Sequence, residues 1–139
     1  MTEPASVLVP GTATGEVLVL DDPLSFWGGL DPATGRLIDA HHPQAGASLT
    51  GTVLVMPAGR GSSSSSYVLA EAIRAGTAPA AIVLGEPDAI VALGAIVAGE
   101  LYGIEVPVVV VPGAGDDLVG GRSVTVHAVD AGAVTVDEA

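Results

Sequence analysis

The stretch Val53-Leu54-Val55-Met56-Pro57-Ala58-Gly59-Arg60-Gly61-Ser62-Ser63-Ser64-Ser65-Ser66-Tyr67-Val68-Leu69 decides the fold. Its apolar start has the length of a buried strand and ends at Pro57. Gly59 and Gly61 permit a tight turn and close backbone approach. The serines that follow offer hydroxyls to the unpaired N–H groups of a first helical turn. An apolar stripe then runs through Val68, Leu69, Ala72, Ile73 and Gly76, with Glu71 and Arg74 between, which is helical spacing. Strand, glycine turn and helix start converge N–H groups and the helix dipole on one point, a geometry suited to an anionic or polar ligand. Arg60 adds a planar cation there. It has two readings, a ligand contact or a structural bond to a carboxylate or carbonyl, since turn arginines make both.

Downstream, Gly76 and Pro79 end the helix in the usual order. Ala80 to Leu84 reads as a second buried strand, and Gly85-Glu86-Pro87-Asp88 as a turn with an acidic helix start. Ala89 to Glu100 reads as an apolar helix, and Pro107 to Val111 as a third strand. Residues 53–111 therefore alternate β-α-β-α-β, with continuous apolar strands of the kind covered on both faces.

Upstream, Ser48 to Met56 is expected as the strand feeding the turn, with a further strand at Leu37-Ile38-Asp39. Val7 to Val9 and Glu16 to Leu20 are expected as a hairpin joined through Gly11-Thr12-Ala13-Thr14-Gly15. Asp116-Asp117 reads as a loop. Ser123 to His127 and Val134 to Val136 read as alternating strands around Gly132, able to pair with the N-terminal strands. The expected architecture is a single α/β domain over residues 1–139. It is a three-layer β/β/α arrangement with a central β-α-β-α-β unit and an antiparallel layer from the N- and C-terminal strands.

Composition narrows the function. Hydrophobic residues make up 49% and aromatics 3%, so the core must be Val, Leu, Ile and Ala. A net charge of −12, with four arginines (36, 60, 74 and 122) and no lysine, opposes nucleic-acid binding. The absence of cysteine excludes disulfides, thiolate catalysis and iron–sulfur ligation by this chain. No basic segment followed by an apolar one opens the sequence. The longest apolar runs, such as 89–99, fall short of the ~20 residues of a membrane span. A soluble, cytoplasmic protein without a membrane partner is the expectation.

The usual motifs fail at the central turn. There is no third glycine at Ser64 for a dinucleotide fingerprint and no lysine for a Walker loop. Ser62 lacks the glycine two residues later that a nucleophile elbow requires. A Ser–His–Asp set could draw on His41, His42 or His127, but the spacing selects none. His41 and His42 have no cysteine or acid nearby to complete a metal set. They read as an ordinary loop or as polar residues near the mouth of a site. Phe26 and Trp27, in Leu24-Ser25-Phe26-Trp27-Gly28-Gly29-Leu30-Asp31, read as a loop anchored on the core or as a lining for a ligand or partner. Five consecutive serines exceed the needs of capping. One beside Arg60 can act as a base if the cation and the helix N–H groups stabilise its alkoxide.

The segments 24–31, His41-His42-Pro43-Gln44-Ala45-Gly46 and 57–69 together resemble the small subunit, or swivel domain, of the aconitase X family, over about Gly11 to Val111. The resemblance implies a swivelling β/β/α domain of a hydro-lyase (dehydratase). Such a domain works in a heterodimer with a large subunit that holds an iron–sulfur cluster through its own cysteines. It implies no cofactor or metal in this chain. It maps the catalytic proton acceptor onto Ser62, with Gly59, Arg60, Gly61 and Ser63 contacting substrate and Trp27, His41 and His42 lining the site. In that scheme water leaves by anti-elimination, with a cluster iron as Lewis acid on the departing hydroxyl. Two activities compete, dehydration of cis-3-hydroxy-L-proline and of mevalonate 5-phosphate. The His41-His42-Pro43 and Gly59-Arg60-Gly61 versions and the shortage of cations favour the first. A non-catalytic swivel or binding module is the alternative of another class. A stand-alone serine hydrolase would need a histidine in reach of Ser62.

Overall fold

The computed structural model describes residues 5–60, 62–129 and 134–138. The strands are β1 (Ser6–Val9), β2 (Gly11–Val19), β3 (Val53–Met56), β4 (Ala81–Leu84), β5 (Val108–Val110), β6 (Ser123–Ala128) and β7 (Val134–Glu138). The helices are α1 (Phe26–Gly29), α2 (Ser64–Ala75), α3 (Ala89–Tyr102) and α4 (Ala114–Asp117). All strands join one sheet in the order β1-β5-β4-β3-β2-β6-β7. Within it β2, β3, β4 and β5 run parallel, and β1, β6 and β7 pair antiparallel.

The period-2 alternation of strands explains the layers. Leu54, Met56, Ile82, Leu84, Val108 and Val110 point into a core shared with Val68, Leu69, Ile73, Val91, Ala95 and Ala98 of α2 and α3. Val53, Val55, Ala81, Val83 and Val109 point the other way, into a core shared with Val124, Val126, Ala128 and Val136 of β6 and β7. The sheet therefore curls so that its β6–β7 end covers the face opposite the helices, giving the expected β/β/α layering. Strand β2 serves both layers. Its residues 17–19 pair with β3 and residues 11–16 with β6.

Several local expectations change. No hairpin joins β1 to β2: β1 pairs with β5 at the far edge of the sheet, so only β2 of the two joins the antiparallel layer with β6 and β7. The Gly/Thr run at 11–15, expected as a turn, is strand. Its polar residues face outward, and Thr14 meets Thr125 hydroxyl to hydroxyl at 2.7 Å. Leu37 and Arg36 make only isolated bridges, to Leu30 and Ser48, and the strand before the central turn is confined to Val53–Met56. Residues 114–117 form a short helical turn instead of a loop. Gly132 lies outside the described residues.

The helix pair packs at a glycine. A Cβ on Gly94 of α3 would lie 2.8 Å from the Ser66 carbonyl oxygen and 3.1 Å from Leu69 Cβ. Overpacking costs about 1–3 kcal/mol, and alanine contributes about 1 kcal/mol over glycine within a helix. Gly94→Ala is thus expected to lower stability by up to about 2 kcal/mol, read as a lower urea midpoint. An unchanged or raised midpoint would show that α2 and α3 part without cost.

Candidate functional site

The loop between β3 and α2 leaves the sheet at the carboxyl ends of the parallel strands, where open α/β sheets hold ligands. Three contacts fix it. Gly59 bridges to Leu24, and the Arg60 N–H donates to the Leu24 carbonyl at 3.2 Å. On its other side Gly59 abuts the Asp88 carboxylate and Val91, so closely that a Cβ would collide with Asp88. Asp88 itself caps α3, its Oδ1 accepting from the Ile90 and Val91 N–H groups at 2.9 and 3.0 Å.

The serines divide their work differently from a simple cap. Ser63 is the N-cap of α2, yet its side chain caps nothing. The first turn is closed instead by Ser65 N–H donating to the Ser62 carbonyl at 2.9 Å and the Ser66 hydroxyl to the Ser63 carbonyl at 2.9 Å. Ser65 is buried. Its Oγ lies 3.1 Å from Ser25 Oγ and accepts the Trp27 N–H at 3.1 Å. That hydroxyl joins the Ser25–Gly29 segment to the helix start, a link the sequence did not signal. Among the described residues, the Ser62 hydroxyl and the Arg60 guanidinium hydrogen-bond to nothing, whereas Arg36 donates to the Gly46 carbonyl and Arg74 to Glu71. Ser62 is half-buried, and Arg60 and Ser63 are exposed. Gly61 lies outside the described residues.

Phe26 is fully buried in the helix-side core, while its neighbour Trp27 is 59% exposed. The two histidines also diverge. His41 is exposed, its backbone N–H donating to Asp39 Oδ1 at 3.0 Å. His42 is buried, with Nδ1 accepting the Gln44 N–H at 3.0 Å and Nε2 3.0 Å from the Asp22 carbonyl. An Nδ1 that accepts fixes Nε2 as the protonated nitrogen and donor. Gln44 Nε2 donates in turn to Asp21 Oδ2 at 2.9 Å. The 41–46 loop is thereby latched onto Asp21-Asp22 at the exit of β2. Among the described residues no histidine hydrogen-bonds Ser62, the contact on which a serine-hydrolase reading would rest.

Beside the loop, a cleft of about 320 Å³ opens at the ends of β2, β3, β4 and β5, lined by Val19, Asp21, Met56, Pro57, Gly85 and Asp116 among others. Sequence reasoning missed Asp21, Gly85 and Asp116. Asp21 and Gly85 had a positional signal, lying just past the ends of β2 and β4, whereas Asp116 sits in the α4 turn after β5. Among the described residues, no group of three His, Asp or Glu side chains can hold a metal, and no helix is long and apolar enough to cross a membrane. Removing the Ser65 hydroxyl strands the Trp27 N–H, at about 1–3 kcal/mol. Ser65→Ala is expected to stay folded, lose stability in that range, and lower the fluorescence anisotropy of Trp27, the sole tryptophan. Unchanged anisotropy would show that the loop is held by other contacts.

The chain is similar to proteins of known family. Residues 3–136 match the aconitase X swivel domain family. A cis-3-hydroxy-L-proline dehydratase of Pseudomonas aeruginosa is 55% identical over 101 residues, which are 73% of this chain and 17% of that protein. A phosphomevalonate dehydratase small subunit of Methanothermobacter thermautotrophicus is 50% identical over 93 residues, 67% of this chain and 71% of that one. The chain thus spans about a sixth of the length of the first relative and about seven tenths of the second. A chain in the crystal structure of Thermococcus kodakaraensis aconitase X in its holo form superposes with a TM-score of 0.83 at 41% identity, covering 98% of each chain. Sequence motifs, layered fold and close structural match together show that the chain belongs to the aconitase X swivel domain family.

Proposed function

We propose that residues 1–139 form one swivel domain that acts as the small subunit of an aconitase X-type dehydratase, with Ser62 as the base in loss of water from a small hydroxy acid. The observation that carries this reading is an unengaged Ser62 hydroxyl just before α2, with the unengaged Arg60 guanidinium two residues earlier in the same loop. A serine removes a proton only as an alkoxide, and the nearby cation and helix N-terminus stabilise that charge. Ser62 takes a proton from the carbon next to the substrate carboxylate, the C–H electrons form the double bond, and the neighbouring hydroxyl leaves with its bonding pair; the proton and the hydroxide together are the water lost. Arg60 grips the carboxylate or holds the alkoxide, and the Gly59 and Gly61 backbone and Ser63 complete the contacts. Trp27 and His41 flank the mouth, and His42 shapes its wall from within.

The chain has no cysteine and does not fit an iron–sulfur cluster. The large subunit is the proposed holder of the cluster that the family implies, and binding of the leaving hydroxyl falls to that subunit.

Charge favours cis-3-hydroxy-L-proline. The cleft carries Asp21 and Asp116, and the chain has no lysine. A substrate with one carboxylate and one ammonium suits one unengaged guanidinium and a neighbouring acidic cleft better than a phosphate does. A relative that bears the phosphomevalonate name at similar identity makes that substrate the direct competitor.

The test is activity of the chain co-expressed with its large subunit on both substrates. Ser62→Ala is expected to lower kcat by about 10²–10⁴-fold, the span of general-base catalysis, with the complex intact. Full activity in Ser62→Ala would place the base elsewhere, and turnover of mevalonate 5-phosphate alone would overturn the substrate assignment. Neither substrate turning over in an intact complex would favour a non-catalytic swivel module. Arg60→Ala is expected to cost about 10²–10³-fold. Arg60→Lys should recover only part of that, because lysine lacks the planar fork; complete recovery would reduce Arg60 to a point charge.

A further inference from the structure

The chain contains one Phe, one Trp and two Tyr, and of these only Phe26 is buried. Trp27, Tyr67 and Tyr102 are exposed by 59, 74 and 41%. In so aromatic-poor a protein, placing three of these large side chains in water opposes simple burial. Exposed Trp and Tyr are the residues that most often anchor a partner.

Helix α3 has the same character. Its fourteen residues include one charge, Glu100. Val91, Ala92, Ala95 and Ala98 face the core, while Leu93, Ile96 and Leu101 face outward at 50, 44 and 67% exposure. A helix apolar on all sides is normally covered on all sides, and here only the inner side is covered by this chain. On the neighbouring α2, Arg74 is paired with Glu71. Hydrogen bonds from its N–H groups to the Glu71 carboxylate raise the guanidinium above its ordinary value. The strip begins at the mouth, where Tyr67 lies in the first turn of α2 and the Trp27 N–H meets Ser65. It ends at a groove of about 310 Å³ where Ile96, Gly99 and Ile104 meet Val9 and Pro10.

We propose that this strip along the outer helix layer is the docking surface for the large subunit, which grips the domain there as well as closing the mouth. The proposal rests on the small-subunit reading above. Continuity identifies the occupant: the elimination needs groups from the large subunit at Ser62, and Trp27 and Tyr67 border that point. Charge argues against a second copy, since association would bring together two chains of −12 each. Exposed acids at Glu100 and Glu105, which line the groove, call for a partner with apolar residues framed by basic ones.

The experiment titrates large subunit into wild-type chain and into Ile96→Glu and Leu101→Glu, with His127→Gln on the opposite layer as control. The α3 variants are expected to melt as the wild type does, because both positions are exposed, and to lose roughly tenfold or more in affinity. The control is expected to bind like wild type. Wild-type affinity in both α3 variants would overturn the proposal while leaving the small-subunit reading standing. No complex with the wild-type chain would sink that reading and the proposal together. A wild-type homodimer that Leu101→Glu dissolves, without change in large-subunit binding, would reassign the strip to self-association.

Discussion

Everything in this domain depends on three short parallel strands that are buried on both faces. Every residue of β3, β4 and β5 is buried, so each strand needs a cover on either side. The two helices supply one and the curled antiparallel end of the sheet supplies the other. Strand β2 makes this possible by belonging to both layers. At its corner Gly15 presses against the Gly51 carbonyl, with room only for a hydrogen. Covering both faces leaves the ends of the strands as the open ground, and the candidate site occupies their carboxyl ends.

The site is assembled from three segments far apart in sequence, and its polar side chains split into two groups. Ser65, His42, Gln44 and Asp88 are committed to holding loops in place. Ser62 and Arg60 are not. Rigid surroundings around uncommitted groups are what pre-organised chemistry requires, since the geometry is set before substrate arrives.

Much of this was legible. The β-α-β-α-β unit followed from unbroken apolar strands and glycine stops, and Asp88 announced its helix by standing before an apolar run. The hairpin failed because Gly11 to Gly15 has turn composition, while its real partner lies 111 residues away at the Thr14–Thr125 pair. No local pattern encodes so distant a pairing. Ser63 failed as a side-chain cap because its backbone is itself helical (φ −60°, ψ −26°), whereas a capping side chain needs the extended region. The buried role of Ser65 was hidden among identical neighbours, since only tertiary contact distinguishes one serine of five.

The two oxygens of Asp88 also tie together positions that no one would pair by eye. One oxygen holds the first turn of α3 and the other occupies the space a side chain at residue 59 would need. Drift at these positions is therefore ordered in time. A lineage that replaces Gly59 first is blocked by the carboxylate. One that shortens residue 88 first gives up the helix cap, worth about 1 kcal/mol, before gaining any freedom in the loop. The passable route runs through a brief loss of stability, so positions 59 and 88 should be inherited as a pair.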